Sequence, residues 1–164
     1  MNWRIDPNKS TVSLSTESTF HKSTSVGAIR GELTGDPAAL EKTASGLVVV
    51  PVENQRFGNR MQDYAMYKHL DTDRWPEAQY EITGLDVLAR APWRIRIHGV
   101  IHYRDMDTPL STEATGSVTD GFLEAKCSFS LRLAELGVTP PRLLFMRVSE
   151  QVDVEVHLIA SAMN

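Results

Sequence analysis

Five histidines, two D-x-D pairs and one cysteine carry most of the chemical potential of this 164-residue chain. The histidines are His21, His69, His98, His102 and His157. His98 and His102 form an H-x3-H pattern, which on a helix would put two imidazoles on one metal ion. Their setting, Trp93–Tyr103, alternates apolar and polar residues as a strand does. Four residues along a strand span about 13 Å, too far for one zinc ion. His157 falls in the outward row of the last alternating segment. His69 closes a helical stretch and is placed to orient its end; as a general base it needs a partner that spacing does not supply. Asp71/Asp73 and Asp105/Asp107 lie in turn sequences, where aspartate holds backbone N–H groups. A calcium loop needs more oxygens in series. There is no G-x-S-x-G, no phosphate-cradling glycine loop and no C-x-x-C. The serines and threonines of Ser10–Ser25 have no base close in sequence. Cys127 stands in an apolar row with Leu123, Ala125, Phe129 and Leu131, the setting of a buried inert thiol. The expectation is therefore no catalytic residue, no metal and no cofactor.

Composition narrows the partners. Hydrophobic residues make up 41% and charged residues 23%, an ordinary globular balance. Twenty-one acids face 17 bases, for a net charge of -4, which argues against nucleic acid. One cysteine allows no internal disulfide. The opening MNWRIDPNKS has no apolar signal region. No run approaches the roughly 18 apolar residues of a membrane helix. The chain as it stands reads as cytoplasmic, or as periplasmic if a leader has been removed. Its length suits one domain, residues 1–164.

The elements that must position these residues are mostly strands. The exception is Asn59–Ile82, whose first half has a helical rhythm. Asn59 is a helix cap, and Gln62 stands where a capping box would place it. Met61, Tyr64 and Ala65 fall on one face, and Met66, Tyr67 and Leu70 roughly on the other. Trp75 before Pro76 ends the helix, and Tyr80 and Ile82 start a strand. Two apolar stripes suit a flap or plug over a sheet.

Elsewhere the chain alternates. Trp3–Asp6 is edge-like, Thr11–Phe20 is half-buried, and Val26–Gly35 reads as one bent strand with Ile29 and Leu33 in phase. Gly46–Glu53 is apolar on both faces, so it is covered on both sides for part of its length, with the helix as the expected cover. Gln79–Leu88, Trp93–Tyr103, Leu110–Val118, Phe122–Leu133 and Val152–Ala160 follow, with Asp120-Gly121 as a hairpin turn. Glu135–Ser149 reads as a long loop carrying the apolar run Leu143–Met146. About eight strands without a βαβ rhythm predict an all-β, antiparallel barrel or sandwich. Pairing of the first and last strands would close a barrel. Such a barrel is either filled or holds one small ligand.

Three stretches together resemble the YceI-like family of lipocalin-like, polyisoprenoid-binding proteins. The first is W-R-I-D-P-N-K-S-T-V-S-L (Trp3–Leu14) with S-V-G-A-I-R-G-E-L-T-G (Ser25–Gly35). The second is M-x4-M-x3-L (Met61, Met66, Leu70) followed by W-P-E-A-Q-Y-E-I (Trp75–Ile82). The third is R-I-R-I-H-G-V (Arg94–Val100), F-S-L-R-L-A-E-L-G-V-T-P-P (Phe129–Pro141) and V-S-E-Q-V-D-V-E-V (Val148–Val156). The series spans nearly the whole chain in matching order. In place of a paired phenylalanine after the helix, this chain has Trp75, and Ile101, His102 and Tyr103 follow its H-G-V.

The resemblance implies an extended eight-stranded antiparallel lipocalin-like β-barrel with one short helical insertion and an apolar tunnel. It implies a ligand of the polyisoprenoid or isoprenoid quinone kind, or another long-chain amphiphile. Residues expected to line the tunnel are Leu14, Phe20, Ile29, Leu33, Met66, Tyr67, Tyr80, Ile82, Trp93, Ile95, Ile97, Phe129, Leu131 and Phe145. The function expected is binding, transport or storage without catalysis. Two alternatives stand beside it: a small enzyme using the cavity with His69 or His98 as base, and an interaction module with a filled barrel. The apolar loop at 143–146 also makes a homodimer an expectation. A continuous apolar tunnel, a polar cleft and a packed interior separate the three.

Overall fold

A computed structural model describes residues 1–19, 21–140, 142–143 and 146–163, with the backbone alone at 142, 143, 146 and 147. Its strands are β1 (Asn2–Ile5), β2 (Thr11–Ser18), β3 (Lys22–Ala28), β4 (Arg30–Thr34), β5 (Ser45–Pro51), β6 (Glu77–Arg90), β7 (Trp93–Tyr103), β8 (Met106–Thr119), β9 (Phe122–Arg132), β10 (Arg142–Leu143) and β11 (Met146–Ala162). The helices are α1 (Leu40–Thr43) and α2 (Arg60–Leu70), with 3-10 turns at Val52–Asn54 and Leu133–Leu136.

Eight strands form a closed antiparallel ring in the order β1-β4-β5-β6-β7-β8-β9-β11, and β11 returns to β1 through Trp3↔Ala162 and Ile5↔Ala160. Closure removes the exposed edges that an open sheet would present. The two remaining long strands, β2 and β3, form a hairpin that continues the ring at one end. There β2 pairs with β11 from Ser18↔Val148 to Thr11↔His157. The switch of β11 from β2 to β1 leaves Ile159 between ladders. Ser10 fills the gap: Ile159 N–H donates to its Oγ at 2.9 Å, and the hydroxyl donates to the Ile159 carbonyl at 3.1 Å. On its other edge β3 meets Arg56 in a two-bond bridge, Val26 N to Arg56 O at 2.9 Å and Arg56 N to Val26 O at 3.0 Å.

The segment 26–35 is therefore two strands, where its phase predicts one. The chain breaks at Ile29, so that β3 pairs β2 while β4 pairs β1 and β5. Gly31 of β4, at φ +142, sits where an added Cβ would stand 2.1 Å from the Leu47 carbonyl oxygen, so only glycine fits there. The polar stretch His21–Ser25, whose composition suggests a turn, belongs from Lys22 on to β3, and the connection between β4 and β5 contains the single helical turn α1. Asp120 (φ 51) and Gly121 (φ 79) turn β8 into β9 as the dipeptide predicts. The described part of the segment after β9, expected as a loop, contains the 3-10 turn, β10 against β11, and the start of β11 at Met146. Of the apolar run 143–146, Leu144 and Phe145 lie outside the described residues.

On β5, Val49 is buried while Leu47 is exposed, so the two-sided run is covered for part of its length. Apart from its ladder partners, β5 packs against β3; α2 is not the cover. The helix is capped by Asn59, whose Oδ1 accepts from Met61 N at 2.9 Å and Gln62 N at 3.2 Å. Gln62 does not complete the capping box; its amide reaches Ser23 Oγ at 3.3 Å. Asp71, left-handed at φ 52, ends α2, with Thr72 N donating back to Tyr67 O at 3.1 Å. No helix of the described residues is long and apolar enough to cross a membrane.

Candidate functional site

The inward rows of the barrel surround an internal cavity of about 350 Å3. That volume is within the range of pockets that hold small organic ligands. Strand alternation builds its wall. From β7, Trp93, Ile95, Ile97, Ile101 and Tyr103 all line it, the inward row of the whole strand apart from Gly99. At Gly99 an added Cβ would meet the Tyr80 ring at 2.5 Å, so this glycine makes the space in which Tyr80 lies. From β9 come Leu123, Ala125, Cys127, Phe129 and Leu131, and from β11 Val152, Val154, Val156 and Leu158. The wall is almost wholly apolar.

The expected lining residues divide. Leu14, Leu33, Tyr80, Ile82, Trp93, Ile95, Ile97, Phe129 and Leu131 are on the wall. Ile29 is not: the chain breaks between β3 and β4 there, the alternation loses phase, and Ile29 packs at 1% exposure into a core cluster with Trp3, Ile5 and Val12. Met66 and Tyr67 are not on the wall either, because α2 lies outside the barrel. Its stripe Met61/Tyr64 faces solvent, at 83% and 67% exposure. The other stripe faces the protein, but only Leu70 reaches the cavity. Tyr67 instead donates its hydroxyl to the Gln55 carbonyl and stacks under Arg56, whose guanidinium carbon is 5.1 Å from the ring centre. Phe20 and Phe145 lie outside the described residues.

One residue was out of phase with the sequence pattern. The β6–β7 register jumps from Ile82↔Gly99 to Gly84↔His98, leaving Thr83 as the extra residue of a bulge. The inward row of β6 thus passes from Ile82 to Leu85, which strict alternation from Tyr80 places outside. Val48 and Val50, Leu110 and Ala114 also line the cavity. Their strands carried the signal, yet the two-sided run on β5 and the polar content of β8 hid which face turned inward.

The two ends of the cavity differ. One is plugged by a second cluster, in which Val52, Ile101, Tyr103 and Val138 are buried and Leu70, Trp75, Leu133 and Leu136 pack against them. Hydrogen bonds from several elements hold this plug. Thr108 Oγ1 donates to Glu135 O at 2.6 Å, Val138 N to Leu133 O at 2.9 Å, and the His69 Nε2 bonds the Thr139 carbonyl. His69 therefore does orient the end of α2, through a backbone oxygen. The opposite end is bordered by Gly35, Pro37, Leu40 and Ala44 of the β4–β5 connection and by Trp93 and Val118. Val118 both lines the cavity and is exposed, so the cavity reaches the surface there. Leu88 and Phe122, on the hairpin tips of the same end, are exposed too.

Few polar groups face the interior. Tyr80 donates its hydroxyl to Leu110 O at 2.8 Å. Burial, with a smaller contribution from Cys127, pushes its pKa up to about 12. Burial alone pushes the Cys127 thiol up to about 11, so the residue is an un-ionised wall element at neutral pH. None of the five histidines lines the cavity. His98 and His102 stand on the outer face of β7. His98 bonds Asp86 Oδ2 at 2.8 Å and Ser111 Oγ at 2.7 Å. His102 lies between Asp107 Oδ1 at 2.6 Å and Glu81 Oε2 at 3.0 Å. Among the described residues no group of three or more His, Cys, Asp or Glu is arranged to hold a metal ion.

This geometry has counterparts. Residues 3–160 match the family model for the YceI-like domain. No match was found among curated proteins. Among solved structures the chain is similar to BcnA of Burkholderia cenocepacia, with a TM-score of 0.83 at 15% identity, covering 96% of this chain and 99% of that one. A polyisoprenoid binding domain from Saccharophagus degradans implicated in plant cell wall breakdown gives 0.77 at 11% identity, covering 98% of each. The Campylobacter jejuni YCEI protein gives 0.69 at 9% identity, covering 83% and 82%. At these identities the structural likenesses show a common fold, and the family model carries the assignment: the chain belongs to the YceI-like domain family.

Proposed function

We propose that this protein binds a long apolar isoprenoid-type lipid, a polyprenyl chain or an isoprenoid quinone, in the barrel, and carries or stores it without catalysis. The observation that carries the reading is the cavity. It runs the length of β7 and has an almost wholly apolar wall that reaches the surface at one end. Each CH2 buried there is worth roughly 0.8 kcal/mol, so a chain of modest length binds tightly without charged contacts. The polyisoprenoid-binding neighbour from Saccharophagus degradans supports the same ligand class. The placement of every histidine away from the cavity wall favours binding over base catalysis.

Native mass spectrometry of the purified protein, with organic extraction of what accompanies it, tests the reading. An adduct of prenyl or prenylquinone mass is the expected result. A clean apo mass, together with no uptake of added quinone or prenyl lipid, would overturn it.

A further inference from the structure

At the plugged end of the cavity, Tyr103 is 7% exposed, and its hydroxyl is the one buried side-chain polar atom without a hydrogen-bond partner among the described residues. Tyr80, on the neighbouring strand and the same wall, has its hydroxyl satisfied by Leu110 O. Tyr103 belongs to a cluster with Leu70, Ile101, Leu136 and Val138, and the charged groups that act on it, Arg104 and Asp71, make no hydrogen bond to its hydroxyl. Buried hydroxyls are nearly always paired, because an unpaired one has given up its water for nothing. A phenylalanine would fill the same space without that cost. Among the described residues nothing pairs with the hydroxyl, which leaves it able to receive an oxygen from a ligand.

We infer that Tyr103 receives the oxygen-bearing terminus of the ligand, so that the lipid lies with its polar end at the plug and its tail towards Trp93 and Val118. This deepens the apolar-chain reading and rests on it. Tyr103 and Trp93 are ten residues apart on β7, about 33 Å of strand, so the two ends of the ligand meet different surroundings. The apolar packing at the plug selects a neutral oxygen, an alcohol or a quinone-type carbonyl. A diphosphate or carboxylate would need charged or multiple polar partners to leave water; the charged groups that act on Tyr103 are Arg104 and Asp71, of opposite sign, and neither lines the cavity.

The test compares three probes on the wild-type protein and Tyr103→Phe: geranylgeraniol, the hydrocarbon in which its hydroxyl is replaced by hydrogen, and geranylgeranyl diphosphate. Binding is followed by tryptophan fluorescence. The substitution is expected to weaken geranylgeraniol roughly 5- to 10-fold, the worth of one neutral hydrogen bond. The hydrocarbon should bind both proteins alike, and the melting temperature of the variant should be no lower than that of the wild type. Unchanged affinity for the alcohol, or equal weakening of alcohol and hydrocarbon, overturns the role of Tyr103, as it would if the hydroxyl merely held a water. Tighter binding of the diphosphate than of the alcohol overturns the neutral-oxygen selection. If the wild type binds none of the three, the apolar-chain reading falls as well.

Discussion

Ser25 donates its hydroxyl to Oε1 of Gln55 at 2.9 Å, and both side chains are buried, at 1% and 0% exposure. The contact joins β3 to the turn after β5, where the accessory hairpin meets the barrel. The Gln55 amide also reaches Val12 O at 3.4 Å, and its carbonyl accepts from Tyr67. The side chain of Gln55 thus links β2 to β3, and its backbone carbonyl holds α2. Gly27 leaves the room for it: an added Cβ would stand 2.5 Å from Gln55 Nε2.

Replacing Gln55 by leucine strands the Ser25 hydroxyl in a dry site. The expected loss is about 1–3 kcal/mol, read from urea unfolding midpoints at unchanged slope. Ser25→Ala in the Gln55→Leu background should recover part of it, because the orphaned group is gone. Strictly additive losses would show that the two residues do not act together.

Phe129 and Trp93 face the cavity from β9 and β7. Phe129→Asp or Trp93→Asp should abolish uptake of prenyl lipid. Ile95→Trp, which fills the space without adding charge, should weaken uptake at least tenfold while the fold is kept. Circular dichroism and thermal melts accompany each variant. Normal uptake by a folded Ile95→Trp protein would place the ligand elsewhere.

With its thiol pushed up to about 11, Cys127 is about one part in a thousand thiolate at pH 8. Thiol reagents should label the native protein far more slowly than the guanidinium-unfolded chain. Bound prenyl lipid should slow labelling further, since Cys127 is on the cavity wall. Labelling of the native protein at the unfolded rate would contradict its burial.

Hydrogen bonds from Asp107 first and Glu81 second raise the His102 pKa above its ordinary 6.5. Stabilisation by the protonated ring is fully present below about 6.5. It fades as pH rises through the higher folded-state value. An NMR titration of the imidazole should give a midpoint above 6.5, and Asp107→Asn should bring it down. A wild-type midpoint at or below 6.5 would refute the pairing in solution.

What the sequence determined by itself is what local periodicity encodes. The rows Trp93/Ile95/Ile97 and Phe129/Leu131 face inward because a strand alternates its side chains, whatever its neighbours. The Asn59 cap and the Asp120-Gly121 turn were legible because each depends on a few adjacent residues. The tertiary structure decided what depends on pairing over long separations. Ile29 left the wall because β3 and β4 serve different partners, and Leu85 joined it because one extra residue, Thr83, shifts the β6 register against β7. Met66 and Tyr67 stayed outside because α2 reaches the cavity only through Leu70, a docking that helical spacing does not encode. The Tyr103 hydroxyl, unpaired among the described residues, had no sequence signal at all. Pairing of a buried oxygen depends on which groups from distant strands come within reach, and that exists only once the barrel has closed around it.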